Sequence, residues 1–213
     1  MPKKDKSGDF FWVSYSDLMT SLFFIMLVLY VLTFVLLKIQ QGKLQADAAE
    51  LAKIREIQEA VEHIDPELFN YDTIYRKHIL NIQVKFASTD TNLYVNSPSV
   101  LAKLEEAGKR ILNFVDELNA YRHEQGETEV KYLVIIEGQA SRDAFPYNDE
   151  LSYRRALSLL RFWQEKHIDM ENHKDIELIL AGSGTGGVPR AKPDRPPNNQ
   201  RFLIHVIPKV GEI

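Results

Sequence analysis

The chain has 213 residues, 26 Lys and Arg against 30 Asp and Glu, a formal net charge of −4 and no cysteine. The acidic balance disfavours nucleic acid as a partner, and the lack of thiols excludes disulfides, thiolate metal sites and a cysteine-linked lipid anchor. The length leaves room for one membrane helix, a connector and one domain of ordinary size.

Residues 1–9 form a short tail that carries Lys3, Lys4 and Lys6. An apolar run follows from 10 to 37, and from Leu18 to Leu37 twenty residues pass without a charge. At ~1.5 Å rise per residue that stretch crosses a ~30 Å hydrocarbon layer, so 10–38 is assigned as a transmembrane helix. The lysines of the tail outnumber Lys38 and Lys43 at the other end, which keeps the N-terminus in the cytoplasm and places the bulk of the chain outside. A cleavable signal peptide fits poorly, because the apolar run is too long and Asp17 interrupts it.

Asp17 is the most informative residue. Counted from 10, it lies about two turns inside the helix, where a carboxylate costs about 2.5–3.5 kcal/mol unless it is protonated, ion-bound or facing protein. Carboxylates held in this way mark ion pathways, so Asp17 is the candidate ion carrier. Tyr15, Thr20 and Ser21 are its candidate neighbours, available to hydrogen-bond or hydrate an ion. Thr20 and Ser21 equally suit bonds back to helix carbonyls. A lone carboxylate fits a proton better than Na⁺, and the alternative for Asp17 is a place at the cytoplasmic headgroups.

Residues 39–80 read as a connector, helical over 44–68 because Leu44, Leu51, Ile54, Ile57, Val61, Ile64 and Leu68 recur at spacings of three, four or seven. Such a helix either packs on its own domain or forms a self-pairing or pore-occluding segment just outside the membrane. From 81 to 213 a compact domain is expected. Ile82, Val84 and Phe86 alternate as in a half-buried strand. A helix over 100–121, capped by Ser99, presents Leu101, Leu104, Ala107, Ile111, Leu112, Val115 and Leu118 on one face. The apolar run 131–137 is a buried strand. Asn148 or Asp149 caps a second helix ending near 167, and strands follow at 176–181 and 202–207, separated by a Gly/Pro-rich loop. The order β-α-β-α-β-β predicts an α+β domain, a helix-backed sheet.

Two segments carry a family resemblance. Phe11-Trp12-Val13-Ser14-Tyr15-Ser16-Asp17-Leu18-Met19-Thr20 resembles the entry to the membrane helix of MotB-like stator B subunits. Tyr147-Asn148-x-x-Leu151-Ser152-x-x-Arg155-Ala156 is similar to the hallmark of OmpA-like peptidoglycan-binding domains, with further matches at Gly182-Ser183-Gly184 and Asn199-Gln200-Arg201. The first segment looks closer to the B subunit of the Zorya anti-phage defence motor (ZorB) than to flagellar stators. The resemblance implies a homodimer of B subunits inside a pentamer of polytopic A subunits (MotA- or ZorA-like), in the bacterial inner membrane with the C-terminal domain in the periplasm. It also implies a proton-driven role for Asp17 and an anchor on peptidoglycan. ExbD- or TolR-type energisers share a single helix with an Asp but lack the Asn-x-x-Leu-Ser-x-x-Arg-Ala pattern.

In OmpA-like domains an Asp and an Arg grip the zwitterionic end of a diaminopimelate side chain in the peptide stem. The Arg carries over as Arg155. The Asp does not: its place is taken by Ala140 or Ser141, and Asp143 is the substitute if the loop is rebuilt. Asn148 and Arg201 follow the family pattern, with Asn148 expected to cap the helix and order the loop and Leu151 expected in the core. The glycine-rich stretch 182–187 lacks the Gly-Lys-Ser/Thr ending of a phosphate loop, and the six histidines lack metal spacing. No nucleophile–base pair is visible, so neither a cofactor nor enzyme activity is expected.

Overall fold

The computed structural model describes residues 6–124, 126, 130–193 and 198–209. Lys3 and Lys4, on which part of the orientation argument rests, lie outside the described residues. The chain divides into two compact units between Lys53 and Ile54, whereas the sequence reading places the domain's start at 81.

The first unit is the bulk of α1 (Lys6–Glu62), a helix of 57 residues. No Gly or Pro occurs between 9 and 41, so nothing in that stretch breaks the ladder. Large apolar side chains from Leu18 to Leu37, including Phe23, Ile25, Leu32 and Leu36, are exposed. By length and composition the helix suffices to cross a membrane.

The second unit opens with the last turns of α1, where Ile57 and Val61 are buried. The helix stops at Glu62, short of 68 and three residues before Asp65-Pro66, which the sequence marks as an end or a fresh start. Pro66 disfavours helical backbone at the residue before it, and Asp65 Oδ1 instead accepts from the Glu67 and Leu68 amides at 3.0 and 3.3 Å. Ile64 and Leu68 still reach the core, so the 54–68 part of the apolar pattern serves its own domain. Leu44 and Leu51 are exposed.

A hairpin follows, β1 (Phe69–Asp72) and β2 (Lys77–Leu80). The expected strand at 82–86 is corrected by it. Ile82, Val84 and Phe86 are buried and alternate with exposed neighbours, but the segment makes no ladder. The remaining elements are a 3-10 turn (Leu93–Val95), α2 (Pro98–Glu124), β3 (Lys131–Gly138), α3 (Asn148–Glu165), β4 (Ile176–Gly182) and β5 (Phe202–Lys209). The sheet order is β1-β2-β5-β3-β4, with β3–β4 parallel and the other pairs antiparallel. The expected architecture, one long N-terminal helix plus a helix-backed α+β sheet, is therefore present, with the hairpin replacing the first strand.

Helix α2 starts two residues before the expected position. Pro98, whose missing amide costs nothing in a first turn, begins it. The Ser97 hydroxyl, rather than that of Ser99, faces the Val100 amide at 3.4 Å. Trp163 of α3 is fully buried and donates from Nε1 to the Leu104 carbonyl at 2.7 Å. Gly108 makes room for that ring, since a Cβ there would lie 2.7 Å from Nε1.

One charged group crosses the sheet interior. Glu137 on β3 is 5% exposed and accepts from Lys77 Nζ of β2 and His205 Nε2 of β5, each at 2.8 Å. Burial alone raises a carboxyl pKa. Here the hydrogen bonds from His205, Lys77 and Ser183 outweigh it and hold Glu137 at about 2.

Candidate functional site

In α1, Asp17 is exposed, with Thr20 and Ser21 three and four residues on and hence on the same helix face. Tyr15, two residues back, lies on another face, its ring edge-on to Trp12 at 6.3 Å. Thr20 Oγ1 donates to the Ser16 carbonyl at 2.7 Å, a bond that leaves the hydroxyl's lone pairs available.

The second candidate site is built where α3 meets the sheet. Gly138 of β3 and Gly182 of β4 are partners across the parallel ladder, and α3 rests on the bare patch they make. A Cβ on Gly138 would lie 2.1 Å from the Ser152 carbonyl oxygen, and one on Gly182 would lie 2.4 Å from the Tyr153 nitrogen. The buried Ser152 hydroxyl donates to the Asp149 carbonyl at 2.7 Å and accepts from the Gly184 amide at 2.9 Å. Ala156 is fully buried. The Ser-x-x-x-Ala part of the motif thus seats the helix on the sheet.

With α3 seated, the other motif residues converge on a cleft of about 340 Å³ lined by Phe86, Ser88, Thr89, Ser141, Asp143, Phe145, Asn148, Leu151, Arg155 and Gln200. Arg155 is only 2% exposed. Its Nε donates to the Asp90 carbonyl at 3.2 Å, and its guanidinium carbon stands 4.4 Å from the centre of the Phe86 ring. Burial pulls its pKa down to about 10, opposed by the charges of Asp143 and Asp90, so it stays cationic at neutral pH. That Nε bond is its one protein hydrogen bond among the described residues, so both terminal nitrogens keep donors for a ligand.

Asp143 supplies the opposite charge. Its Oδ1 accepts from Asn148 Nδ2 at 2.7 Å and from the Phe145 amide at 3.0 Å. The Asn148 bond first, then the Phe145 amide and the charge of Arg155, hold its carboxyl below the usual range. The second oxygen has no hydrogen bond among the described residues. Asn148 also donates to the Phe145 carbonyl at 2.8 Å. It therefore orders the 143–148 loop without capping α3, whose N-cap, Tyr147, makes no side-chain cap bond. Ser141 lines the cleft, and neither its buried hydroxyl nor Asn148 Oδ1 has a hydrogen-bond partner among the described residues. Ala140 is fully buried and is not among the residues lining the cleft.

Arg201 requires a correction. It does not line the cleft; its Nε donates to Gln139 Oε1 at 3.0 Å and its Nη2 to the Pro189 carbonyl. Burial and then the nearby Arg190 lower its pKa. Arg201 braces the loop between β4 and β5, and its neighbour Gln200 reaches the cleft instead. Sequence reasoning missed Phe86, Thr89 and Gln200 as cleft residues. The only signal for Phe86 was its place in the alternating run, which marks burial but not what is buried against.

Searches of protein-family models and of curated proteins find no match for the sequence. Solved structures similar to this chain include the periplasmic domain of Helicobacter pylori MotB, 14% identical over 66% of this chain and 88% of that one, with a TM-score of 0.42. An OmpA-like domain from Francisella tularensis is 19% identical, covering 66% and 79% of the two chains at a TM-score of 0.36. An outer-membrane protein from Borrelia burgdorferi is 13% identical, covering 65% and 95% at 0.38.

Proposed function

We propose that this protein is the B subunit of a proton-driven stator complex of the bacterial inner membrane, with Asp17 as the ion carrier and the C-terminal domain anchoring the complex to peptidoglycan in the periplasm. The observation that carries the anchor is the Arg155 guanidinium: buried, cationic and with its terminal donors uncommitted, beside an acid with an uncommitted oxygen. Such a pair matches an amino acid end bearing both a carboxylate and an amine, the chemistry of the diaminopimelate side chain. Arg155, Asp143, Asn148 and Ser141 form this site, and Arg201 supports it from outside.

The carrier role rests on Asp17's position in an apolar helix and on the resemblance of its surroundings to stator B subunits. A carboxyl there is neutral when it faces apolar protein and charged when water reaches it, and alternation between the two couples ion flow to movement. The drive is about 2.3 kcal/mol per charge per 100 mV. The partners in this reading are a second copy of the chain and a pentamer of polytopic A subunits. The system is Zorya-type anti-phage defence, with a flagellar stator as the alternative.

Two experiments test the reading. Asp17→Asn keeps the size of the side chain and removes its charge; the variant should insert and assemble normally yet abolish phage defence or motility in the host. Retained function would make the helix a passive tether. In pull-downs on purified sacculi, wild-type protein should sediment and Arg155→Ala should fall to background. Absence of wild-type binding would sink the anchor.

A further inference from the structure

A second groove runs along the other side of the segment that walls the Arg155 cleft. Its volume is about 430 Å³, and its lining includes Asn92 and Tyr94 on one side with Arg154, Arg161 and Glu165 of α3 on the other. The dividing segment is pinned: Arg155 holds the Asp90 carbonyl, and the side chains of Asp90 and Asn92 accept from the amides of Thr91 and Tyr94 at 2.7 and 2.9 Å. The two cavities are thus neighbours across a fixed wall, served by one helix.

The groove has a distinct chemistry. Tyr94 is 56% exposed, yet its ring is set edge-on to Phe162 at 6.1 Å and its hydroxyl donates to Glu165. An exposed aromatic held at both ends is a pre-ordered surface for a ligand's apolar atoms. Glu165 is committed to that bond and Arg154 to Glu150 at 2.7 Å. Arg161 is exposed and has no ion pair or hydrogen bond among the described residues, so the groove offers one uncommitted planar donor set beside an aromatic ring.

We infer that this groove is a second, carboxylate-binding subsite for the same stem peptide, in which Arg161 takes a carboxylate next to the residue gripped by Arg155, and Tyr94, set against Phe162 and Glu165 beyond Arg161, packs on the peptide's apolar atoms at that end of the groove. The inference rests on the peptidoglycan reading above. Six residues of helix from Arg155 to Arg161 rise ~9 Å and turn ~600°, so the two side chains leave α3 about a third of a turn apart; the exposed Arg161 side chain supplies the reach across that angle. An arginine and a carboxylate meet as a bidentate, charge-assisted pair.

The test compares two soluble probes, free meso-diaminopimelate and the tripeptide L-alanyl-γ-D-glutamyl-meso-diaminopimelate, titrated calorimetrically into the full-length protein in detergent. Wild type should bind the tripeptide about tenfold more tightly than the free amino acid. Arg161→Gln should erase that advantage and leave the affinity for free diaminopimelate unchanged. Tyr94→Phe, which keeps the ring but removes its tie to Glu165, should reduce the advantage in part. Equal wild-type affinity for the two probes, or an Arg161→Gln protein that still prefers the tripeptide, overturns the subsite alone. Wild type binding neither probe overturns the peptidoglycan reading and the subsite with it.

Discussion

Glu137 and Arg155 show the same cost met in two ways. Each is a charged side chain nearly removed from solvent, a placement that costs several kcal/mol unless hydrogen bonds repay it. Glu137 is answered inside the protein by Lys77 and His205. Arg155 receives one carbonyl and an aromatic face, and its terminal nitrogens make no hydrogen bond among the described residues. Because its folded pKa lies near 2 against 4.5 ordinarily, Glu137 contributes stability that is complete above about pH 4.5 and fades as the pH drops toward 2. Glu137→Gln should therefore destabilise the domain by about 3 kcal/mol at pH 7, with the gap to wild type closing by pH 2.5, as read from urea midpoints. An unchanged midpoint at pH 7 would contradict this.

At the level of elements, the positions of α3 and its strands were readable because their signals are local. The run 131–137 and the Asn-x-x-Leu-Ser-x-x-Arg-Ala spacing lie within single elements, and both fall in the expected elements, although Asn148 does not cap α3. The hairpin of β1 and β2 was not readable. Its strands are four residues each, too short to show a period, and what ties them to the sheet is the pairing of β2 with distant β5. The run Ile82, Val84, Phe86 shows the converse, since alternation reports which side chains are buried and not whether the backbone joins a sheet. The seat of α3 yields a prediction at this scale. Gly138→Ala places a methyl against the backbone of Ser152, which cannot rotate away. Overpacking of this kind costs about 1–3 kcal/mol, and the displaced helix should carry Arg155 out of register and lower sacculus binding. Calorimetric melting together with the pull-down would read both effects; a variant that melts and binds as wild type would refute the account.

For the whole molecule, the site's composition was less legible than its anchor. Arg155 and Asn148 are seven residues apart on one helix, whereas Phe86 and Gln200 arrive from more than 110 residues apart in sequence, and only the folded chain brings them together. Acid response is also a property of the assembled domain. His78 is 2% exposed, and its Nε2 donates to the Val61 carbonyl in the last turn of α1 at 2.8 Å. Burial lowers its pKa below the ordinary 6.5, opposed by the bonds to Val61 and Ile204, while His205 adds to the lowering and Glu62 resists it. Its contribution is thus complete above pH 6.5 and declines as the pH falls below that value toward its lowered pKa. Urea midpoints of the full-length protein should decline from pH 7.5 to pH 5, and His78→Gln should flatten that slope; an equally steep slope would rule His78 out. The paired glycines under α3 lead further. They divide the domain into a seat that accepts no added atom and a 141–147 loop whose exposed residues are held by only a few bonds. Under selection or in a saturation library, the seat should stay invariant while the loop diversifies, so what the cleft recognises can change without the scaffold being rebuilt.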